Sequence, residues 1–187
     1  MQRKNIIDLS LIELEEFCSE LELKPFKAKQ IWNWVYCFGK TNFQEMTNLD
    51  KKTRDFFEEC SFIYRPKINN VHISNDGTIK WLLEMDDKSL IETVFIPQGK
   101  RGTICISSQV GCTLNCTFCN TGTQKLVRNL TAYEILGQIF TVIDHLNDWP
   151  MSKTNRKVTN LVMMGMGEPL LNYENVKKAL KIVMSSN

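Results

Sequence analysis

The order of apolar segments after residue 103 constrains the fold most strongly. A strand-like segment, Thr103–Ser108, precedes a cysteine-rich loop and an amphipathic helix, and a second apolar strand, Val158–Met164, precedes a glycine turn and a helix at Glu174–Met184. Helices that alternate with strands favour a parallel sheet with helices packed outside it. A parallel sheet needs cover on both faces, and two parallel strands give a thin core. The sequence therefore predicts an α/β fold that is the opening part of a larger one.

Upstream of residue 103 the pattern changes once. The first third is helical, with a capping box at Ser10 and Glu13, a second helix over Phe26–Phe38 and a third around Phe56. After Arg65-Pro66 the hydrophobic period becomes two, and the turn Asn75-Asp76-Gly77 predicts the first of a series of hairpins. We therefore predict a small helical domain over residues 1–66 and the start of a β-rich core over residues 67–187.

Bulk composition excludes several classes of protein. The 187 residues contain no apolar run long enough to cross a membrane, and the amino terminus turns acidic too early for a signal peptide. Seven cysteines, an odd number with three clustered, favour a reducing compartment and a metal over a disulfide framework. We expect a cytoplasmic protein, without a membrane partner and monomeric.

Basic residues occur in three stretches that contain no acid. These stretches are Lys24–Lys40, Pro97–Arg128 and Trp149–Met166, the last containing Lys153, Arg156 and Lys157. Such stretches can hold nucleic-acid phosphates. Solvated surface is the alternative, because short acid-free stretches are common.

Cys112, Cys116 and Cys119 are spaced CxxxCxxC and supply three thiolates, with Phe118 before the last of them. Iron–sulfur cubanes are normally held by four cysteines, so a triplet favours a cluster with one iron open to a ligand. A structural zinc site is the alternative, but zinc usually takes four ligands in two pairs. His72 and His145 do not lie at ligand spacing from the triplet, and Cys105 lies seven residues before it.

Three further positions can carry chemistry. Glu92 shares strand parity with Leu90 and Val94, so we expect it to project from an apolar face, where burial raises a carboxyl pKa; a Glu that reaches water on an edge strand is the alternative. Gly167 and Glu168 follow an apolar strand, where α/β folds place ligands. Cys105, by itself, is most often a small buried residue.

Several motifs together resemble one family. IETVFIPQGKRGTICISSQVGCTLNCTFCNTG, RNLTAYEI and LVMMGMGEPLLNYENV are similar to the RlmN family of radical S-adenosylmethionine (SAM) enzymes, and KPFKAKQIWNWVY and FQEMTNLDKKTR are similar to its helical domain. The resemblance implies the first βα units of an incomplete radical SAM partial barrel, preceded by a helical RNA-binding accessory domain. It implies methylation of adenine C2 in 23S rRNA and some tRNAs.

The resemblance also implies roles for the residues. Cys112, Cys116 and Cys119 would hold a [4Fe–4S] cluster, and Gly167 and Glu168 would contact the amino-acid end of SAM bound to the open iron. A 5′-deoxyadenosyl radical would act on a methylated cysteine of the enzyme, Glu92 would accept the C2 proton, and Cys105 would resolve the enzyme–RNA adduct as a disulfide. A flavodoxin-type protein would donate the electron.

One element of the family pattern is missing, because the sequence has no cysteine after Cys119 that could carry the methyl group. We therefore expect an amino-terminal part of the enzyme that does not complete the reaction alone. Two alternatives remain: a zinc-stabilised RNA-binding module without catalysis, and the related enzyme that methylates adenine C8.

Overall fold

The computed structural model describes residues 3–114, 116–117, 119–151 and 154–185. Phe118 and Lys153, which the sequence analysis singled out, lie outside these ranges. Within them the chain forms five α-helices, which are α1 (Leu11–Glu20), α2 (Phe26–Tyr36), α3 (Lys51–Cys60), α4 (Ala132–Leu146) and α5 (Tyr173–Ser185). The strands are β1 (Lys4–Asn5), β2 (Ser61–Phe62), β3 (Lys67–Ile73), β4 (Ile79–Glu84), β5 (Leu90–Gln98), β6 (Arg101–Cys105), β7 (Gln109–Val110), β8 (Arg128–Asn129) and β9 (Asn160–Val162).

The main sheet confirms the predicted α/β architecture. Its strand order is β3-β4-β5-β6-β9, and β3 to β6 form an antiparallel meander. Strand β9 returns through α4 to lie parallel to β6, with Cys105 opposite Val162. This is the βαβ unit that the alternation of strand and helix predicts. The predicted hairpin at Asn75–Gly77 joins β3 to β4.

Strand β9 is shorter than the predicted Val158–Met164. At its start, the backbone amide of Val158 donates to a carboxylate oxygen of Asp148 (2.9 Å), and that of Thr159 donates to the Gly102 carbonyl (2.8 Å). These two amides are already bonded to Asp148 and Gly102. Regular pairing of β9 with β6 therefore begins only after them, at Thr103 and Asn160.

Capping boxes begin two of the helices where the sequence predicted them. The Ser10 hydroxyl accepts from the Glu13 amide while the Glu13 carboxylate accepts from the Ser10 amide (2.7 Å). Thr131 and Glu134 repeat this arrangement at the start of α4. Helix α2 ends at Tyr36, two residues before the predicted end, and the chain then turns through Gly39 at a φ of +65°.

The two faces of the main sheet have different environments. One face is buried against α4, where Thr93 bonds to Gln138 and the Trp81 ring lies 5.3 Å from the His145 ring. On the other face Leu90 is 41% exposed and Ile96 is 43% exposed. The helical third packs into the same core as α4. The main sheet therefore has one face that is buried against α4 and one open face that is exposed to solvent.

No helix in the described part of the chain is long and apolar enough to cross a membrane.

Candidate active site

The cysteine loop and the glycine turn leave the same edge of the sheet. Strands β6 and β9 are parallel, so the segments that follow them begin at their shared carboxyl ends. The first segment leads through β7 into the cysteine loop, residues 111–127, and the second is the turn Gly165–Glu168. Ligands in open α/β sheets bind at such an edge, and the structure therefore brings the two predicted cofactor motifs together.

The ends of the cysteine loop are fixed, because β7 and β8 pair antiparallel on either side of it. Arg128 in β8 forms a two-pronged ion pair with the buried carboxylate of Glu134 (both 2.8 Å) and a second ion pair with Asp87 (2.6 Å). Two-pronged arginine–carboxylate pairs combine strength with fixed geometry. The loop is thereby tied to α4 and to the turn between β4 and β5.

Backbone hydrogen bonds shape the cysteine loop itself. The amide of Cys119 donates to the carbonyl of Cys116 (3.0 Å), and that of Gly122 donates to the carbonyl of Cys119 (3.1 Å). The amide of Leu114 donates to the sulfur of Cys112 (3.4 Å). A β-carbon on Gly122 would lie 3.0 Å from the Cys116 carbonyl oxygen, so glycine permits this close approach.

The three thiols suit an iron–sulfur cluster by type and number, since all three are free, half-buried and carried on one loop. Across the described residues, no three His, Cys, Asp or Glu side chains converge on a point that could hold a metal ion. The fit to the implied cluster therefore rests on the type and number of donors.

The glycine turn passes close to the main chain that follows β6. Gly167 has a φ of +93°, and a β-carbon there would lie 2.5 Å from the Gln109 Cβ. The Gln109 side chain accepts from the Glu168 amide (2.9 Å), and the Glu168 carboxylate accepts from the Leu170 amide (3.0 Å). The backbone of the turn is thus fixed, while the Glu168 carboxylate is only partly buried.

Gln138, which the sequence analysis did not single out, organises this edge from beneath. Its fully buried side chain accepts from the Thr93 hydroxyl (2.9 Å) and the Ser107 amide (2.8 Å), and donates to the Ser107 carbonyl (3.0 Å). The Ser107 hydroxyl donates to the Glu92 carbonyl (2.6 Å) and accepts from the Met166 amide (2.9 Å). One amide therefore positions β5, the segment after β6 and the glycine turn. A lone amide within the apolar stripe of α4 is the sequence signal that could have revealed it.

The predicted burial of Glu92 is wrong. Its face of β5 is the open one, and its side chain is 46% exposed and ion-paired with Lys80 (2.8 Å). Strand β5 is central in the sheet, so the edge-strand part of the alternative is wrong, but its expectation that Glu92 reaches water is confirmed. The parity was read correctly, but the apolar residues on that face, Leu90 and Ile96, are themselves exposed.

Cys105 lies on the same open face as Glu92. It pairs across the strands with Val94, two residues from Glu92 on β5, so the two side chains are diagonal neighbours. Burial raises the pKa of the Cys105 thiol above its ordinary value, and a hydrogen bond with the Met164 backbone only partly opposes this. Cys105 is therefore a thiol at neutral pH and needs a base or higher pH to act as a nucleophile.

This raised pKa predicts slow alkylation of Cys105. With its pKa raised above the ordinary cysteine value, little of the thiol is ionised at neutral pH, and iodoacetamide reacts with the thiolate. Peptide mapping by mass spectrometry across the alkaline range should give a labelling rate that rises at higher pH than that of a cysteine in an unstructured peptide. Cys18, fully buried and with its pKa raised to about 11, is the slower internal reference. A midpoint for Cys105 at or below that of the unstructured peptide would contradict the assignment.

Folding neutralises most of the first basic stretch and one residue, Arg128, of the second. Lys27 pairs with Asp50 and Lys40 with Glu45, while Arg128 pairs with Asp87 and Glu134 as described above. A stretch of sequence without acidic residues therefore need not form a cationic surface, because carboxylates from other elements can pair with its basic residues.

Comparison with known proteins gives consistent matches. The family model for the ribosomal RNA large subunit methyltransferase N-terminal domain matches residues 4–63. The chain is 48% identical over 189 residues to the dual-specificity RNA methyltransferase RlmN of Rhizorhabdus wittichii, covering 99% of the chain and 47% of the relative. It is 49% identical over 188 residues to the Zymomonas mobilis protein of the same name, covering 97% and 48%.

A solved structure shares the fold. The crystal structure of a radical SAM methyltransferase from Sphaerobacter thermophilus superposes with a TM-score of 0.85 and 35% identity, over 96% of this chain and 52% of that one. The chain thus spans about half the length of the proteins it matches, and its fold is part of a radical SAM methyltransferase fold. On these matches and on the motifs at the sheet edge, the chain belongs to the RlmN family.

Proposed function

We propose that this chain is part of a radical SAM methyltransferase that methylates C2 of adenine in 23S rRNA and in some tRNAs. One observation carries the proposal: three free thiols at CxxxCxxC spacing lie on a loop at the same sheet edge as the glycine turn, within a radical SAM methyltransferase fold. The relatives' common name, dual-specificity RNA methyltransferase, supports the substrate class.

Cys112, Cys116 and Cys119 would hold a [4Fe–4S] cluster, and Gly167 and Glu168 would bind the amino-acid end of SAM. The chemistry that these two groups supply when bound is reductive cleavage of a sulfonium bond, with an electron from a flavodoxin-type donor. The Glu168 carboxylate can accept a hydrogen bond from an ammonium group. The close backbone approach at Gly167 leaves no room for a side chain between the turn and Gln109.

On the open face Glu92 would accept the proton from adenine C2, and Cys105 would act on the enzyme–RNA adduct. The Glu92 carboxylate lies 2.8 Å from the Lys80 ammonium and is accessible on the open face, where a substrate base could reach it. The high pKa of Cys105 fits a thiol that reacts only once a nearby base takes its proton.

We propose two further assignments. Residues 1–66 act as an RNA-binding accessory domain, which the family match over residues 4–63 supports. The 187 residues contain no cysteine after Cys119, so we expect that by themselves they form no C2-methyladenine from RNA, SAM and a reductant.

Metal analysis tests the proposal. Protein purified without oxygen, or reconstituted with iron and sulfide, should contain iron and acid-labile sulfide. Its reduced form should give a cubane electron paramagnetic resonance signal that shifts on adding SAM. Stoichiometric zinc with no iron after reconstitution would contradict the radical SAM assignment and favour the zinc-stabilised RNA-binding module.

A further inference from the structure

A basic cleft lies at the edge of the sheet opposite the cysteine loop. It is formed by the turn that joins β5 to β6 and by the loop that precedes β9, and its volume is about 600 Å³. Both segments lie at the amino-terminal ends of the parallel strands β6 and β9. Strand β6 separates the cleft from Cys105 by four residue steps, or about 13 Å.

Four cations line this cleft: Lys100 and Arg101 from the turn, and Arg156 and Lys157 from the loop. None of its lining residues is acidic. The two pairs are 55 residues apart in the sequence and belong to two of the predicted basic stretches, and the fold joins them. A concave site with one sign of charge concentrates ions of the opposite sign.

Among the described residues, no carboxylate lies within 4.0 Å of Lys100 or Arg101. Other cations do pair with a carboxylate, including Lys27, Lys29, Lys40, Arg65, Lys67, Lys80, Lys88, Arg128 and Lys178. Lys157 donates to the Leu146 carbonyl at the end of α4 (2.6 Å).

Several hydrogen bonds hold the cleft wall together. The buried Asp148 carboxylate accepts from the amides of Lys157 (2.8 and 2.9 Å) and Val158 (2.9 Å). Thr159 exchanges hydrogen bonds with Gly102, its amide donating to the Gly102 carbonyl (2.8 Å) and its hydroxyl accepting from the Gly102 amide (3.1 Å). A β-carbon on Gly102 would lie 1.9 Å from the Lys157 carbonyl oxygen, so glycine is what allows the two walls to meet.

We propose that this cleft binds phosphodiester groups of the RNA substrate, at a site separate from the reacting edge. The inference rests on the proposed function for the RNA itself. Arginine and lysine are the side chains that hold phosphate oxygens, and the exposed Lys100 and Arg101 side chains are accessible to a backbone that runs across the surface. Contacts of this kind give affinity and orientation without reading sequence.

The test compares two double variants of the full chain. K100A/R101A removes the two cations of the turn, and K67A/K181A removes two exposed lysines from β3 and α5 as a control of equal charge. Binding of a fluorescein-labelled RNA hairpin is followed by anisotropy between about 50 and 200 mM salt. Each lost phosphate contact should lower the slope of log K against log salt by about 0.7 to 0.9. We expect K100A/R101A to lose about 1.5 from the slope and roughly tenfold in affinity, and the control to keep the wild-type slope.

Each other outcome overturns the inference in a recognisable way. Equal losses in both variants would mean a diffuse charge effect instead of a cleft. If K100A/R101A binds RNA as the wild type does and still takes up iron, the cleft does not bind the RNA, and the proposed function is unaffected. Absence of RNA binding by the wild type, with tripolyphosphate binding that depends on Lys100 and Arg101, would show an anion site that does not serve RNA.

Discussion

Replacing Cys112, Cys116 or Cys119 singly by serine is expected to reduce cluster iron to background. A three-thiolate site has no spare donor, and a hydroxyl is a poor ligand for iron–sulfur clusters. Each variant would be reconstituted without oxygen with iron and sulfide, and its iron, sulfide and visible absorption measured. The three side chains are only half-buried on a loop, so the fold should survive the change, and circular dichroism should show wild-type helix content.

The matched control is C37S, a half-buried thiol at the end of α2, outside the cysteine loop. It should take up as much iron as the wild type. If any of the three loop variants retains a full complement of iron and sulfide, the cluster has other ligands and the assignment fails. If C37S loses iron as well, the loss reflects general damage to the fold and not loss of a ligand.

Q138L is expected to lower the free energy of unfolding by about 3–6 kcal/mol. The substitution leaves the Ser107 amide, the Ser107 carbonyl and the Thr93 hydroxyl without the partner that Gln138 supplies. A buried polar group that loses its partner costs about 1–3 kcal/mol. Urea unfolding followed by circular dichroism measures the change, provided that the transition stays two-state.

T141V is the control for this experiment. Thr141 lies on the same helix three residues further on, and its hydroxyl is buried without a hydrogen-bond partner among the described residues. Valine has the same shape without the unsatisfied oxygen, so T141V should be neutral or slightly stabilising. If the urea midpoints of Q138L and T141V agree within error, the Gln138 hydrogen bonds do not stabilise the sheet as proposed.

Much of this fold could be predicted from local sequence signals, because contacts between residues close in sequence fix the helix starts and the hairpin turn. The capping boxes at Ser10 and Thr131 satisfy helix amides from within four residues, and the turn at Asn75–Gly77 fixes its own hairpin. Alternation of strand and helix then gave the parallel pairing of β6 and β9. Element ends were less certain, as at β9, where Asp148 holds the amide of Val158 from ten residues away.

The candidate site was predicted unevenly for the same reason. Spacing within one loop shows the cysteine triplet, and its position after β7 follows from the strand order. The environment of Glu92 could not be read from strand parity, since parity gives the face and not what covers it. Gln138 acts through partners 31 and 45 residues away. The joining of Lys100 and Arg101 with Arg156 and Lys157 likewise depends on the βαβ connection.

The pairing of β7 with β8 has a consequence for how substitutions in the cysteine loop should act. The strands close the loop at both ends, and Arg128 secures that closure to α4 without any contribution from the thiols. Changes to the loop's side chains should therefore alter what the loop can bind before they alter the fold that carries it.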